Sequence, residues 1–403
     1  MRAERAVADG RTDAWPVGFV QTERDREAML VLASIPGLTA RRLHALADRA
    51  GAAGACLDAL RAGRGVLPDD RRSPAVPLAG VPPWAADRRV PPVDPDLAAS
   101  LSPDGIRERL RECGARMVFP GEPDYPASIL DLHDPPATLF VRGSSPSEAS
   151  GGVAIVGARN CSPLGEEIAA RFGRELASAG VPVVSGGARG IDAAAHRGSL
   201  DAGGPTVAVL GSGIDVAYPS GNGRLLERVA AAGALVSEYP PGVPAMPFRF
   251  PARNRIVAAL AEAVLVVEGA AGSGSLITAD HALDLGRPVF AVPGAVTSPL
   301  SEVPLALIRD GAGLVRNAED LLADLGRLDP TLPDGRPRPG GLSELERRLL
   351  ERLSGPTLPE VLAAALETDL GGILAAVVGL EVRGLVRMTG GRVERRLGAP
   401  GPG

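Results

Sequence analysis

Short runs at 153–156, 181–184, 206–210, 234–237, 263–267 and 289–292, apolar but for Pro182, Thr206 and Ser237, alternate with segments whose apolar residues recur at helical spacing. Runs this short and rich in Val predict strands covered on both faces. Their alternation with helices predicts an α/β fold, a Rossmann-like doubly wound and mostly parallel sheet. Upstream, a helical stretch after Leu97 leads to Arg116-Met117-Val118-Phe119 and then to the strand-like 137–141, a segment expected to enter the domain as an edge element, so the domain is predicted over 97–328. Between Glu23 and Leu60 the positions Leu30, Leu32, Ile35, Leu38, Leu43, Leu46 and Leu60 follow a helical pattern broken at Pro36-Gly37, which predicts a small helical domain over 22–63. Beyond the sheet, 342–397 reads as helices ending in a hairpin, with strands at 385–388 and 392–397 around Gly390-Gly391. That is the layout of a winged helix. The Pro-rich stretches 64–96 and 329–341 are expected linkers, and 1–21 and 398–403 expected tails, the first of them disordered.

Composition narrows the chemistry. The chain has 403 residues, a net charge of −5 and no lysine, so all 43 basic residues are arginine. An overall negative charge argues against coating duplex DNA by bulk electrostatics, and any anion site must be local. Without lysine there is no Walker-type phosphate lysine, no pyridoxal Schiff base and no lysine base. An Ala/Arg/Gly/Pro-rich usage typical of a GC-rich genome accounts for this bias, but arginine is also the better fork for phosphate oxygens wherever it points inward. Three scattered cysteines, Cys56, Cys113 and Cys161, suggest neither a disulfide framework nor a metal site. No apolar run approaches the roughly 20 residues of a membrane span, so a cytoplasmic protein is expected.

In a doubly wound sheet ligands bind beyond the carboxyl ends of the strands, and every unusual loop falls at such an end. Gly157-Ala158-Arg159 follows the first strand, Ser185-Gly186-Gly187-Ala188-Arg189-Gly190 the second and Gly211-Ser212-Gly213 the third. The Pro-rich 240–251 segment, leading to Arg249, Phe250, Arg253, Asn254 and Arg255, follows the fourth, and 269–275 follows the fifth. These loops are expected to converge. Gly272-Ser273-Gly274-Ser275 runs straight into a helix carrying Thr278, so backbone N–H groups, hydroxyls and the helix dipole favour an anion there.

Other chemistries fit less well. The first loop is not G-x-G-x-x-G and no carboxylate ends the second strand, which argues against NAD. Asp192 and His196 stand four apart on a helix, as an acid/base dyad or as a helix-capping Asp and a packed His. Glu268, beside the Gly loop, is open to a catalytic role or to one as a helix-dipole or arginine partner. No catalytic set, cofactor or metal site is assigned.

The strings Ser185-Gly186-Gly187-Ala188-Arg189-Gly190-Ile191-Asp192, Phe250-Pro251-Ala252-Arg253-Asn254-Arg255, Ser273-Gly274-Ser275-Leu276-Ile277-Thr278-Ala279 and Val292-Pro293-Gly294, in this order, resemble the DprA/Smf family of bacterial DNA-processing proteins. The resemblance covers about 115–322 strongly. It implies a homodimer that binds single-stranded DNA on the Rossmann-like face, protects incoming DNA in natural transformation and loads RecA, with single-strand-binding protein a further partner to consider. By motif, Arg159, Arg189 and the arginines at 249–255 would hold phosphates, the 272–275 loop would cradle another, and Phe250 would stack on or wedge against a base.

The chain departs from the family pattern in places. Ala158 stands where Ser is usual and Gly187 where Leu is usual, and Val303-Pro304-Leu305 lacks the usual Asn. Thr39 replaces a glycine of the family's helix-hairpin-helix turn, which favours an interaction or packing role for that region. The C-terminal helix at about 370–382 has no basic residue to read base edges, which favours protein contact. Two other functions stay open: a phosphoribohydrolase-like nucleotide hydrolase, although 270–275 lacks the Pro, Thr and following Glu of such loops, and a nucleotide-sensing scaffold.

Overall fold

The computed structural model describes residues 15–16, 18–64, 93–327, 343–353, 355–366, 368–382, 386–389 and 391–395. Residues 1–14 and 398–403 of the expected tails, 65–92 of the first linker and 329–341 of the second lie outside them. The chain divides into two compact units, Met1–Asp324 and Leu325–Gly403.

The first unit opens with α1 (Glu23–Ser34), α2 (Ala40–Ala50) and α3 (Ala53–Arg61), followed by α4 (Pro95–Ser100) and α5 (Pro103–Cys113). Helix α1 starts where a capping box allows it, the Thr22 hydroxyl and the Asp25 carboxylate satisfying each other's backbone N–H groups. Trp15 and Phe19, within the expected tail, are ordered here. Their rings stack 4.7 Å apart and the Trp15 indole N–H donates to the Pro135 carbonyl, because an aromatic pair offers more apolar area than a solvated tail can leave exposed. Helices α1–α4 share one apolar cluster with Phe119 and Ala137 of the sheet domain, while Leu30 of α1 and Ile106 and Leu110 of α5 join Phe140, Leu210 and Leu235 over the sheet itself.

The sheet has nine strands in the order β1-β2-β6-β5-β4-β3-β7-β8-β9. Strands β3 (Gly152–Val156), β4 (Val183–Ser185), β5 (Thr206–Leu210), β6 (Ala234–Ser237), β7 (Ala261–Val266), β8 (Val289–Ala291) and β9 (Gly313–Leu314) run parallel. β2 (Leu139–Gly143) lies antiparallel to β6, and β1 (Ala115–Val118) antiparallel to β2 at the edge. The segment expected at the edge supplies the two outermost strands on that side, with β1 at the edge and β2 beside it. Every residue of β3, β4, β5 and β6 is buried, as strands with helices on both faces require.

Helices α6 (Pro163–Ser178), α7 (Ile191–Asp201), α8 (Gly223–Ala232), α9 (Arg249–Leu260), α10 (Gly274–Asp284), α11 (Glu302–Arg309) and α12 (Ala318–Asp324) complete the unit. The last five residues of α9, Ile256 to Leu260, are all buried in the main core beside Val184, Val207 and Val264. The first turn of α9 therefore meets the carboxyl ends of the strands.

The second unit has its own core, built by α13 (Glu344–Arg352), α14 (Pro359–Ala365), α15 (Leu370–Val382) and the antiparallel hairpin β10 (Val386–Thr389) and β11 (Arg392–Arg395). Among the described residues no single helix is long and apolar enough to cross a membrane.

Candidate nucleic-acid interface

The loops after β3, β4 and β5 and the first turn of α9 enclose a cleft of about 410 Å³. Its lining falls into two kinds. Arg159, Arg189 and Arg253 supply positive charge, while Leu210, Ala217, Tyr218, Pro219 and Phe250 supply apolar surface. Two glycines create the room. A Cβ on Gly186 would stand 2.5 Å from the Arg253 guanidinium, and one on Gly211 would stand 2.9 Å from the Phe250 ring. Glycine at these strand ends therefore lets α9 lay an arginine and an aromatic ring directly over the sheet.

The three arginines differ in state. Arg253 is buried, its guanidinium donating to the carbonyls of Gly186 and Val209 and, through Nε, to Asn254 Oδ1 at 3.1 Å. Burial lowers its pKa to about 10, against the opposing pull of Asp192 and with the like charge of Arg159 adding to the effect. Arg159 and Arg189 are exposed and make no ion pair among the described residues. The Arg159 guanidinium lies 4.8 Å from the centroid of Phe250, and Tyr218 packs on the same ring at 5.1 Å with 34° between the planes.

Asp192, at the start of α7, accepts from the Ala188 N–H at 3.3 Å and so holds the 185–190 loop in shape. Burial raises its pKa while Arg253 pulls the other way. It does not touch His196. The His196 ring instead meets Thr206 Oγ1 through Nδ1 at 2.7 Å, and since the Thr206 hydroxyl donates to the Val183 carbonyl, Nδ1 carries the proton. The histidine is packed as one reading expected, but the aspartate holds the preceding loop and does not cap the helix, whose N-cap is Gly190 without a side-chain bond. Glu268 accepts from both the N–H (2.8 Å) and the hydroxyl (2.6 Å) of Ser162, the N-cap of α6, and is thus a helix-terminus partner.

A match to a family model, described as DNA recombination-mediator protein A, spans residues 116–326. Protein Smf of Escherichia coli is 40% identical over 279 residues, 64% of this chain and 75% of the relative. DNA processing protein DprA of Streptococcus pneumoniae is 42% identical over 200 residues, covering 50% of this chain and 71% of its own length. The chain belongs to the DNA recombination-mediator protein A family. The solved structure of the S. pneumoniae protein superposes with a TM-score of 0.58 and 29% identity, covering 76% of this chain and 99% of that one. All the cleft-lining residues fall inside the family match, whereas α1–α5 and α13–α15 lie outside it.

Within this family frame, the residues singled out from sequence divide into three groups. Arg159, Gly186, Arg189, Phe250 and Arg253 line the cleft. Gly157, Ala158, Ser185, Gly187 and Gly190 shape its loops: Gly187 and Gly190 have φ of 66° and 75°, Ala158 bridges to Glu268 and Ile191 through its backbone, and the buried Ser185 hydroxyl donates to the Ile155 carbonyl at 2.6 Å. A Cβ on Gly157 would stand 2.7 Å from Ile191. The rest lie elsewhere. Arg255 is buried, bonded to Glu238 at 2.6 Å and 3.3 Å from Asp134; burial opposes its charge, but the two carboxylates hold its pKa above the usual value. Arg249 donates to the Pro244 carbonyl and packs over Tyr239 at 4.5 Å. Both arginines therefore spend their charge or their donors inside the fold and are not in the cleft lining.

The loop at 272–275 does not line the cleft either. Ser273 caps α10 by accepting from the Ser275 N–H and pairs with the buried Ser275 hydroxyl at 2.8 Å, and Thr278 is buried one turn on. Asn254 connects the two regions: its Oδ1 receives Arg253 and its Nδ2 donates to the Gly274 carbonyl at 3.1 Å. Three elements escaped the sequence reading. Tyr218 and Pro219 form part of the cleft wall, and the Asn222 side chain donates to the carbonyls of Gly187 (3.0 Å) and Ala188 (3.2 Å), clipping that wall to the arginine loop. A Tyr-Pro pair shortly after a strand's carboxyl-end glycine turn was the available signal.

Proposed function

We propose that this protein binds single-stranded DNA in the cleft above β3, β4 and β5 and acts there as a recombination mediator that protects the strand and loads RecA, as in natural transformation. One observation carries the reading: two exposed arginines without carboxylate partners, Arg159 and Arg189, stand beside an apolar and aromatic wall in one cleft. Charged groups positioned for phosphates beside aromatic surface suit a strand whose bases are free to stack. Membership of the recombination-mediator family supports the same reading. The cleft lining carries no carboxylate, imidazole or thiol, which favours binding over nucleotide hydrolysis. A cytoplasmic homodimer with RecA and single-strand-binding protein as partners belongs to this proposal. So does a winged-helix role for the second unit in protein contact, which the absence of basic residues on α15 supports.

The test is anisotropy of labelled single-stranded and duplex oligonucleotides across a salt series, for wild type and for Arg159→Ala with Arg189→Ala. Wild type should prefer single strands. Loss of two phosphate contacts should reduce the log–log salt slope by roughly 1.4, at about 0.7 per contact. An unchanged slope would reject this cleft as the phosphate site.

A further inference from the structure

The family resemblance points to Phe250 as the ring that meets a base, but the cleft is built otherwise. Phe250 is half-buried against Gly211, with the Arg159 guanidinium at 4.8 Å and the Tyr218 ring at 5.1 Å already packed on it. Tyr218 is 47% exposed and lines the same cleft. We propose that Tyr218 is the base-stacking residue of this site, with Phe250 as the ring that supports it.

The inference rests on the single-strand reading above and assigns the nucleobase a place within it. A base needs an aromatic face open to solvent, and among the aromatic residues lining the cleft Tyr218 is the more exposed. Ala217 and Pro219 extend its apolar surface on either side in the chain. The ring is also held in place. Phe250 packs against it, the Ser212 hydroxyl donates to the Val216 carbonyl at 2.7 Å, and Asn222 ties the far end of the loop to Gly187 and Ala188. A pre-ordered ring costs little entropy when a base stacks on it. The same clip carries the loop that presents Arg189, so stacking surface and phosphate donor share one rigid support. Stacking on a tyrosine face offers no hydrogen-bond pattern to a base edge, so the subsite accepts any base.

The experiment compares an oligothymidylate with an abasic strand of the same length, using the full chain. Wild type should bind the base-bearing strand more tightly. Tyr218→Ala should weaken that strand roughly 5- to 150-fold while leaving both the abasic affinity and the salt slope unchanged, because stacking and not phosphate contact is lost. Tyr218→Trp should keep the preference for bases, and Tyr218→Leu, which retains an apolar side chain, should lose it. The inference is overturned if Tyr218→Ala or Tyr218→Leu retains the wild-type ratio between the two strands. If wild type binds neither strand, the single-strand reading fails as well, an outcome distinct from binding that ignores Tyr218.

Discussion

A guanidinium can serve a ligand only when its charge is not already spent inside the protein. Arg255 is spent on Glu238 and Asp134, so Arg255→Ala leaves a buried carboxylate without its counter-ion and should cost about 3–5 kcal/mol in chemical denaturation. Arg159→Ala, at an exposed position without an ion pair, should leave the denaturation midpoint nearly unchanged and register in DNA binding instead. The motif strings did not separate these fates. Arg253 and Arg255 are two residues apart on α9, a helix whose later residues are buried all round, so no polar stripe marks an outward face. His196 gives a further prediction at this scale. Burial, with Arg253 and Arg197 nearby, lowers its pKa from 6.5 to about 3. The unfolded chain takes up a proton near pH 6.5 that the folded protein refuses, so this group's contribution to stability is full above 6.5 and falls as the pH drops toward 3. Between pH 7 and pH 5, urea denaturation should show wild type losing more stability than His196→Gln. The lowered pKa of His281 is a background common to both proteins.

Helices α6 and α7 pack by backbone contact, which only glycine permits. A Cβ on Gly173 would stand 2.3 Å from the Ala195 carbonyl oxygen, and one on Gly198 would stand 2.0 Å from that of Ala170. Neither obstacle is a side chain that can swing away, so Gly198→Ala must push the helices apart and should destabilise by about 1–3 kcal/mol. Thermal denaturation checks it, with Gly286→Ala unsuitable as a control because its φ of 66° strains any side chain. At the scale of elements the sequence was largely legible. Six apolar runs matched β3 to β8 because a strand buried on both faces must be apolar throughout. Pairing was less so. The antiparallel placement of β2 between β1 and β6 depends on which edge of the sheet is free, and composition does not encode that. β9, with two residues, is too short to show any period. The 272–275 loop has the sequence of an anion cradle, yet in the fold its hydroxyls cap α10 and bond each other.

At the scale of the molecule, the net charge of −5 sets a repulsive background for DNA, so affinity must come from a local cleft rather than from the overall field. Every cleft residue belongs to the first compact unit. The second unit is nearly charge-balanced, its arginines matched by acidic residues, so its removal would leave the background field nearly unchanged. A chain ending after Arg327 should therefore fold with the same cooperativity in its sheet core. It should also bind single-stranded oligonucleotide with the wild-type affinity and salt slope, measured by anisotropy alongside the full chain. Any defect of the shortened chain should emerge only when a protein partner is present, for example in RecA filament formation on strands coated with single-strand-binding protein. A parallel loss of affinity and salt slope in the shortened chain would instead mean that the second unit contributes phosphate contacts of its own, and the assignment of DNA binding to the cleft alone would have to be given up.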